Sequence, residues 1–179
     1  MHRREFLLSA TGIVGATTVG SIAYTSATVE RNVTANVEGD DDGIIELTPG
    51  IPAASKNNSG NLSLNLNEDL NKEGTFEYGS WSDPTATPLF TITNKDDQTH
   101  DISVDLSSTS GSIRVKLSPP SASDITVNDG GSSGDITLDG TNNTAQSIDV
   151  ALEIDTSGVA TGTDAVDATI TINGKPDGQ

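Results

Sequence analysis

The 179-residue sequence predicts an all-β protein, an antiparallel β-sandwich of jelly-roll-like form with about ten short strands. Three observations carry this. Apolar and polar residues alternate with period two in segment after segment. Helical periodicity is almost absent. Clusters of Gly, Pro, Asn and Asp punctuate the chain at short, regular intervals. Composition alone does not decide for folding. Leu, Ile, Val and Phe make up 40 of 179 residues, just above the range in which a highly charged chain stays disordered. The alternation decides it.

The strands follow in order. Val29, Arg31, Val33, Ala35 and Val37 share one face of a first segment, broken by Asp40-Asp41-Asp42-Gly43. Ile44 to Leu47 is a short apolar run stopped by Pro49-Gly50. Leu62, Leu64 and Leu66 alternate with Ser63 and Asn65, and Glu68 to Lys72 offers a weak helical turn. Thr75 to Tyr78 leads into the loop Gly79-Ser80-Trp81-Ser82-Asp83-Pro84. Leu89 to Thr93 points Phe90 and Ile92 inward, and Asn94 to Thr99 is a polar turn. Ile102, Val104 and Leu106 alternate next. Ile113, Val115 and Leu117 follow around Arg114 and Lys116, up to Pro119-Pro120. Ile125 with Val127, then Ile136 with Leu138, make two short strands. Ile148, Val150, Leu152 and Ile154 give the cleanest alternation. Val166, Ala168, Ile170 and Ile172 give the last, closed by Gly174-Lys175-Pro176. One apolar and one polar face per strand marks antiparallel sheets with a wet side, stacked by their dry sides.

Residues 1–27 read as an export signal and 28–179 as a single β-sandwich domain. Arg3 and Arg4, a spacer, then Phe6 and Leu7 resemble a twin-arginine leader. An 18-residue stretch from Leu7 to Tyr24 follows, rich in Gly, Ala and Thr, before Thr25-Ser26-Ala27, where small residues suit a signal peptidase. A general-secretion signal and a retained anchor are the alternatives. Contact with a membrane is expected only through this leader before cleavage, and the mature chain is expected at the cell surface or outside the cell.

The chain holds 26 acids and 9 bases. Without residues 1–27 it keeps 25 acids and 7 bases, a net charge of −18. Such a surface repels itself in dilute buffer. At about 1 M salt the screening length falls to about 3 Å, which removes most of that repulsion. The composition therefore fits a halophilic environment, and it disfavours nucleic acid and anionic lipid as partners. No Cys is present, so disulfides and thioether lipidation are excluded. The mature chain keeps one His, His100, too few for most zinc sites or a Ser–His catalytic pair. The expectation is a non-enzyme that needs no cofactor.

Several residues invite a functional reading beside a structural one. Asp40-Asp41-Asp42-Gly43 has calcium-type oxygen ligands but lacks a calcium loop's spacing. It reads as a hydrated turn, as do Asp96-Asp97 and Asn128-Asp129. Asn-x-Ser/Thr sequences stand at Asn32, Asn57, Asn61 and Asn142, no more than composition predicts. Asn57 and Asn61, in a polar loop, are the better candidates for glycosylation. Trp81, with Tyr78 and Phe76 near it in sequence, is either a sugar-stacking platform or packing.

Leu89-Phe90-Thr91-Ile92-Thr93-Asn94, a polar turn, then Ile102-Ser103-Val104-Asp105-Leu106 form a strand–Asn–turn–strand unit. With the Arg-Arg leader, Thr28-Val29-Glu30-Arg31 after it and the late strand Ile148 to Asp155, this resembles secreted haloarchaeal β-sandwich proteins. It is also distantly similar to the camelysin and TasA-type biofilm matrix proteins. The resemblance implies a surface or matrix role. It does not carry over a metalloprotease activity, because no His-Glu-x-x-His is present. Two functions are then expected to compete. One is a structural protein that self-associates into filaments. There the free segment Thr28 to Val37 would act as a donor strand, with Val29, Val33 and Val37 filling a neighbour's apolar slots. Alternatively that segment is the first strand of its own sandwich. The other function is a monomeric module that binds envelope glycans or divalent cations.

Overall fold

A computed structural model of the chain describes residues 34–37 (backbone only), 45–56, 62–66, 74–108, 112–140, 146–157 and 168–177. Twelve strands lie among them: β1 Thr34–Val37, β2 Ile45–Pro49, β3 Ala54–Lys56, β4 Leu62–Asn65, β5 Thr75–Tyr78, β6 Phe90–Asn94, β7 His100–Ser108, β8 Ser112–Ser118, β9 Ile125–Asn128, β10 Ile136–Leu138, β11 Ser147–Asp155 and β12 Ala168–Pro176. Every pairing is antiparallel. The all-β, antiparallel, sandwich-like packing expected from the alternation is the architecture found.

The largest sheet runs β2-β6-β11-β8-β9. Its centre is β11, whose one edge is covered by β8 from Asp149 to Asp155. The other edge is shared: β6 takes Ser147 to Val150, and β5 takes Leu152 to Asp155. A second sheet runs β10-β7-β12, and a third ladder runs β1-β4-β3. Cα atoms of β1 and β12 come within 8 Å of one another. Stacked sheets stand about 10 Å apart, so β1 lies beside β12 rather than over it. The two small ladders thus adjoin through β1 and β12.

Between the layers the alternating apolar residues meet. Phe90, Ile92, Ile102, Ile113, Val115, Leu117, Ile148, Val150, Leu152 and Ile154 are all without appreciable exposure. Full burial of such a side chain contributes about 1.5–3 kcal/mol, and this row is the main stabilising feature. The chain changes sheets after β9. Gly130, at φ 72°, turns the backbone so that its N–H donates to Leu106 O at 2.9 Å. Gly131 O then accepts from Leu106 N at 3.0 Å, and Ser133 N donates to Val104 O at 2.9 Å. The strand has moved onto the edge of β7, where β10 continues the ladder.

Three elements differ from the sequence reading. β3 is a strand although its three residues carry no alternation; it exists because Ala54 to Lys56 pair with Leu64 to Leu62. β7 begins at His100, two residues before the alternation does. β12 runs through Gly174 and Lys175 to Pro176, where the sequence reading closes it. Gly174 serves a contact there: a Cβ would come within 2.5 Å of Ile45 Cδ1. Pro176 is the terminal pair of the ladder, opposite His100, a position where a missing N–H is tolerated. The helical turn expected at Glu68 to Lys72 lies outside the described residues.

Candidate functional site

The residue types that bear chemistry converge in two places. The first is the outer, wet face of the large sheet. Arg114 and Lys116 alternate outward on β8, opposite Glu153 and Ala151 of β11. Above them lies the β5–β6 loop. Gly79 at φ 78° starts this loop, at a point where a Cβ would stand 2.6 Å from Leu89 N. Its shape is held by Ser80 N donating to Thr87 O at 2.7 Å and Asp83 N donating to Ser80 Oγ at 3.1 Å. Thr85 Oγ1 also donates to Asp83 Oδ1 at 2.6 Å.

The loop brings Trp81 onto the two cations. Arg114 Cζ is 5.1 Å and Lys116 Nζ 5.7 Å from the ring centroid, both within cation–π range. Lys116 Nζ also donates to Trp81 O at 2.8 Å and pairs with Asp124 Oδ2 at 3.1 Å. Arg114 donates to Glu153 Oε1 through Nε at 2.9 Å and through Nη2. Ala151 and Glu153 face outward by alternation, yet both are buried; this part of the wet face is covered. The Asp124 carboxyl titrates below the usual range because Ser118 and then Lys116 hydrogen-bond to it.

The second place is the β6–β7 turn. Asn94 is fully buried. Its Nδ2 donates to Gln98 O at 2.9 Å and Leu138 O at 3.0 Å, and its Oδ1 accepts from Asp96 N at 3.0 Å. One side chain thus closes the turn and ties it to the end of β10. Gly140 lets the chain pass the turn: a Cβ there would lie 2.5 Å from Gln98 O. His100, 3% exposed, places Nε2 2.7 Å from Asp96 Oδ2, while its Nδ1 is buried without a partner. The His100 contact, and next the Asp97 backbone N–H, hold the Asp96 carboxyl below its ordinary pKa. This is the physical content of the Asn in the strand–Asn–turn–strand unit.

The sequence-based candidates distribute differently. Arg3, Arg4, Phe6, Leu7, Val29, Val33, Asn57 and Asn61 lie outside the described residues, as do Asn32, Asn142 and Asp40 to Asp42. Val37 lies in β1, opposite Leu62 of β4. The aromatic trio does not assemble. Tyr78 is buried and donates its hydroxyl to Leu66 O at 2.5 Å. Phe76 packs half-buried against the core, and Trp81 alone reaches the outer face. Asp96 engages His100, and Asp97 accepts from Gln98 Nε2 at 3.0 Å. Asp129 Oδ1 accepts from Ser108 N at 2.6 Å, a turn brace. Among the described residues no group of three His, Cys, Asp or Glu is placed to hold a metal ion. Among them, too, no helix is long and apolar enough to cross a membrane. The pairing of Arg114 and Lys116 with Trp81 is new to the structure. Its one sequence signal is two bases at i, i+2 on a single strand face, in a chain with so few.

No protein-family model, curated protein or solved structure matches this chain.

Proposed function

We propose that the chain is an exported structural protein of the cell surface or extracellular matrix, and that copies join by exchanging the segment 28–37. The observation that supports this is the seat of β1. It pairs with β4 from Thr34↔Asn65 to Val37↔Leu62, and it lies beside β12, with which it shares no ladder among the described residues. A strand between two others, near the start of the mature domain, leaves a slot when it is withdrawn. The same backbone pattern fits that slot whether the strand comes from its own chain or a neighbour. High salt screens the repulsion between two subunits of about −18 each and so permits the approach. The reading assigns no catalysis and no cofactor.

The test compares the mature chain with and without residues 28–37 in molar salt, by sedimentation and electron microscopy. Filaments from the full chain and a folded, monomeric truncated form are expected. A monomeric full chain with an unfolded truncated form would end the proposal.

A further inference from the structure

We infer that Trp81 and the residues around it form a binding site for an uncharged sugar ring. The chain's one Trp stands on the wet face of the sheet, near the start of a loop braced by its own hydrogen bonds. A flexible surface Trp would lose freedom on binding; this one is already held by Lys116 at its carbonyl and by two cations near the ring. The indole keeps part of its surface in solvent. A half-buried, pre-positioned aromatic ring attracts the C–H face of a pyranose, by dispersion and by its quadrupole, through the part of it that stays in solvent.

The polar groups at its border choose the class of sugar. Arg114 and Lys116 are each matched by a carboxylate, Glu153 and Asp124, so the cluster offers no net positive charge. Asp83 and Asp155 add further negative charge nearby; Arg114 is close enough to help lower the pKa of Asp155, after its bonds to Ser157. An anionic sugar meets matched cations and a strongly acidic chain. A neutral sugar finds carboxylate and hydroxyl acceptors and the hydroxyls of Ser80 and Ser82 as partners. Stacking also survives salt, whereas attraction between charges does not.

The single Trp makes the test direct, since all indole emission comes from position 81. The full mature protein is titrated with neutral gluco- and manno-oligosaccharides and, separately, with oligogalacturonate, at about 0.5 M and about 3 M NaCl. A saturable change in Trp emission with a neutral oligosaccharide, equal at both salt levels, is expected. Calorimetry with Trp81→Ala should then show affinity lower by about tenfold or more, with circular dichroism unchanged. Should that variant fail to fold, Trp81→Leu keeps an apolar side chain at this position without a π face and should show the same loss. Three results would each overturn the inference: no saturable change with any neutral sugar, unchanged affinity in the folded variant, or a response to oligogalacturonate alone that fades as salt rises.

Discussion

The strands β11 and β1 sit at opposite extremes of the molecule. β11 is nine residues long, and both its edges are paired: β8 on one side, β6 and β5 in succession on the other. Five consecutive residues, Val150 to Ile154, are buried, including Glu153 beneath its ion pair with Arg114. β1 is four residues long and, among the described residues, shares a ladder with β4 alone. The difference teaches where stability resides. Opening β11 dismantles the large sheet and the row of aliphatic side chains behind it, whereas opening β1 disturbs, among the described residues, one four-residue ladder and its approach to β12. Proteins open locally at their least bonded elements, and those are the elements that can be lent to a neighbour without melting the rest.

The comparison can be broken or sharpened in several ways. The largest effect is expected from salt. All five described bases are already paired with carboxylates, Lys56 and Lys95 both to Glu46, and Arg114, Lys116 and Lys175 to Glu153, Asp124 and Asp135. Most acids are therefore unmatched, and withdrawing salt from molar to about 0.1 M should abolish the β-type circular dichroism of the mature protein. Equal stability at both levels would mean that bound ions neutralise the excess. Next comes the core of the large sheet. Leu152→Ala should cost about 2–5 kcal/mol in denaturant titrations at high salt, while deletion of residues 28–37 should leave the fold intact. If deletion destabilised as much as Leu152→Ala, the contrast between β11 and β1 would fail.

A smaller effect is expected at the β6–β7 turn. Asn94→Ala removes the donor to Gln98 O and Leu138 O, leaving the buried Leu138 carbonyl without that partner at about 1–3 kcal/mol. The same denaturant titration reads it. The smallest effect is acid sensitivity. Asp96, Asp124 and Asp155 have carboxyls held below their ordinary pKa, by His100, Ser118 and Ser157 first of all. A depressed folded pKa stabilises above the unfolded value, near 3.9, and that contribution is lost as pH falls through the lower folded value. At molar salt, where overall repulsion is screened, Tm should therefore decline below about pH 4. Asp96→Asn should make that decline shallower.

Much of the fold is legible in the sequence because period-two alternation needs no knowledge of partners. β4, β8 and β11 stand where Leu62/Leu64, Ile113/Val115/Leu117 and Ile148 to Ile154 alternate. β3 is not legible, since its three residues are a strand only by virtue of Leu62 to Leu64 beside them. The length of β12 is hidden for a similar reason: Gly174 and Pro176 read as stops, yet the ladder to β7 carries the strand past them. The candidate site is less legible than the fold. Trp81 stands out by its rarity, but its partners arrive from β8, about thirty-five residues on. Asn94 is visible as a turn residue, while its second acceptor, Leu138 O, is 44 residues away. Non-local hydrogen bonds of this kind leave no periodic trace.

The most direct test of strand exchange uses the absence of cysteine from the chain. Asn36 and Ser63 are register partners across β1 and β4, and paired positions on adjacent antiparallel strands fall within the Cα separation of a disulfide, about 4.4–6.8 Å. The double variant Asn36→Cys with Ser63→Cys is oxidised in molar salt and separated without reductant. Exchange between copies predicts a ladder of covalent oligomers that collapses to one band on reduction. Cross-linking confined to the monomer, with the bond formed in full, would show that each chain keeps its own first strand and would contradict the account.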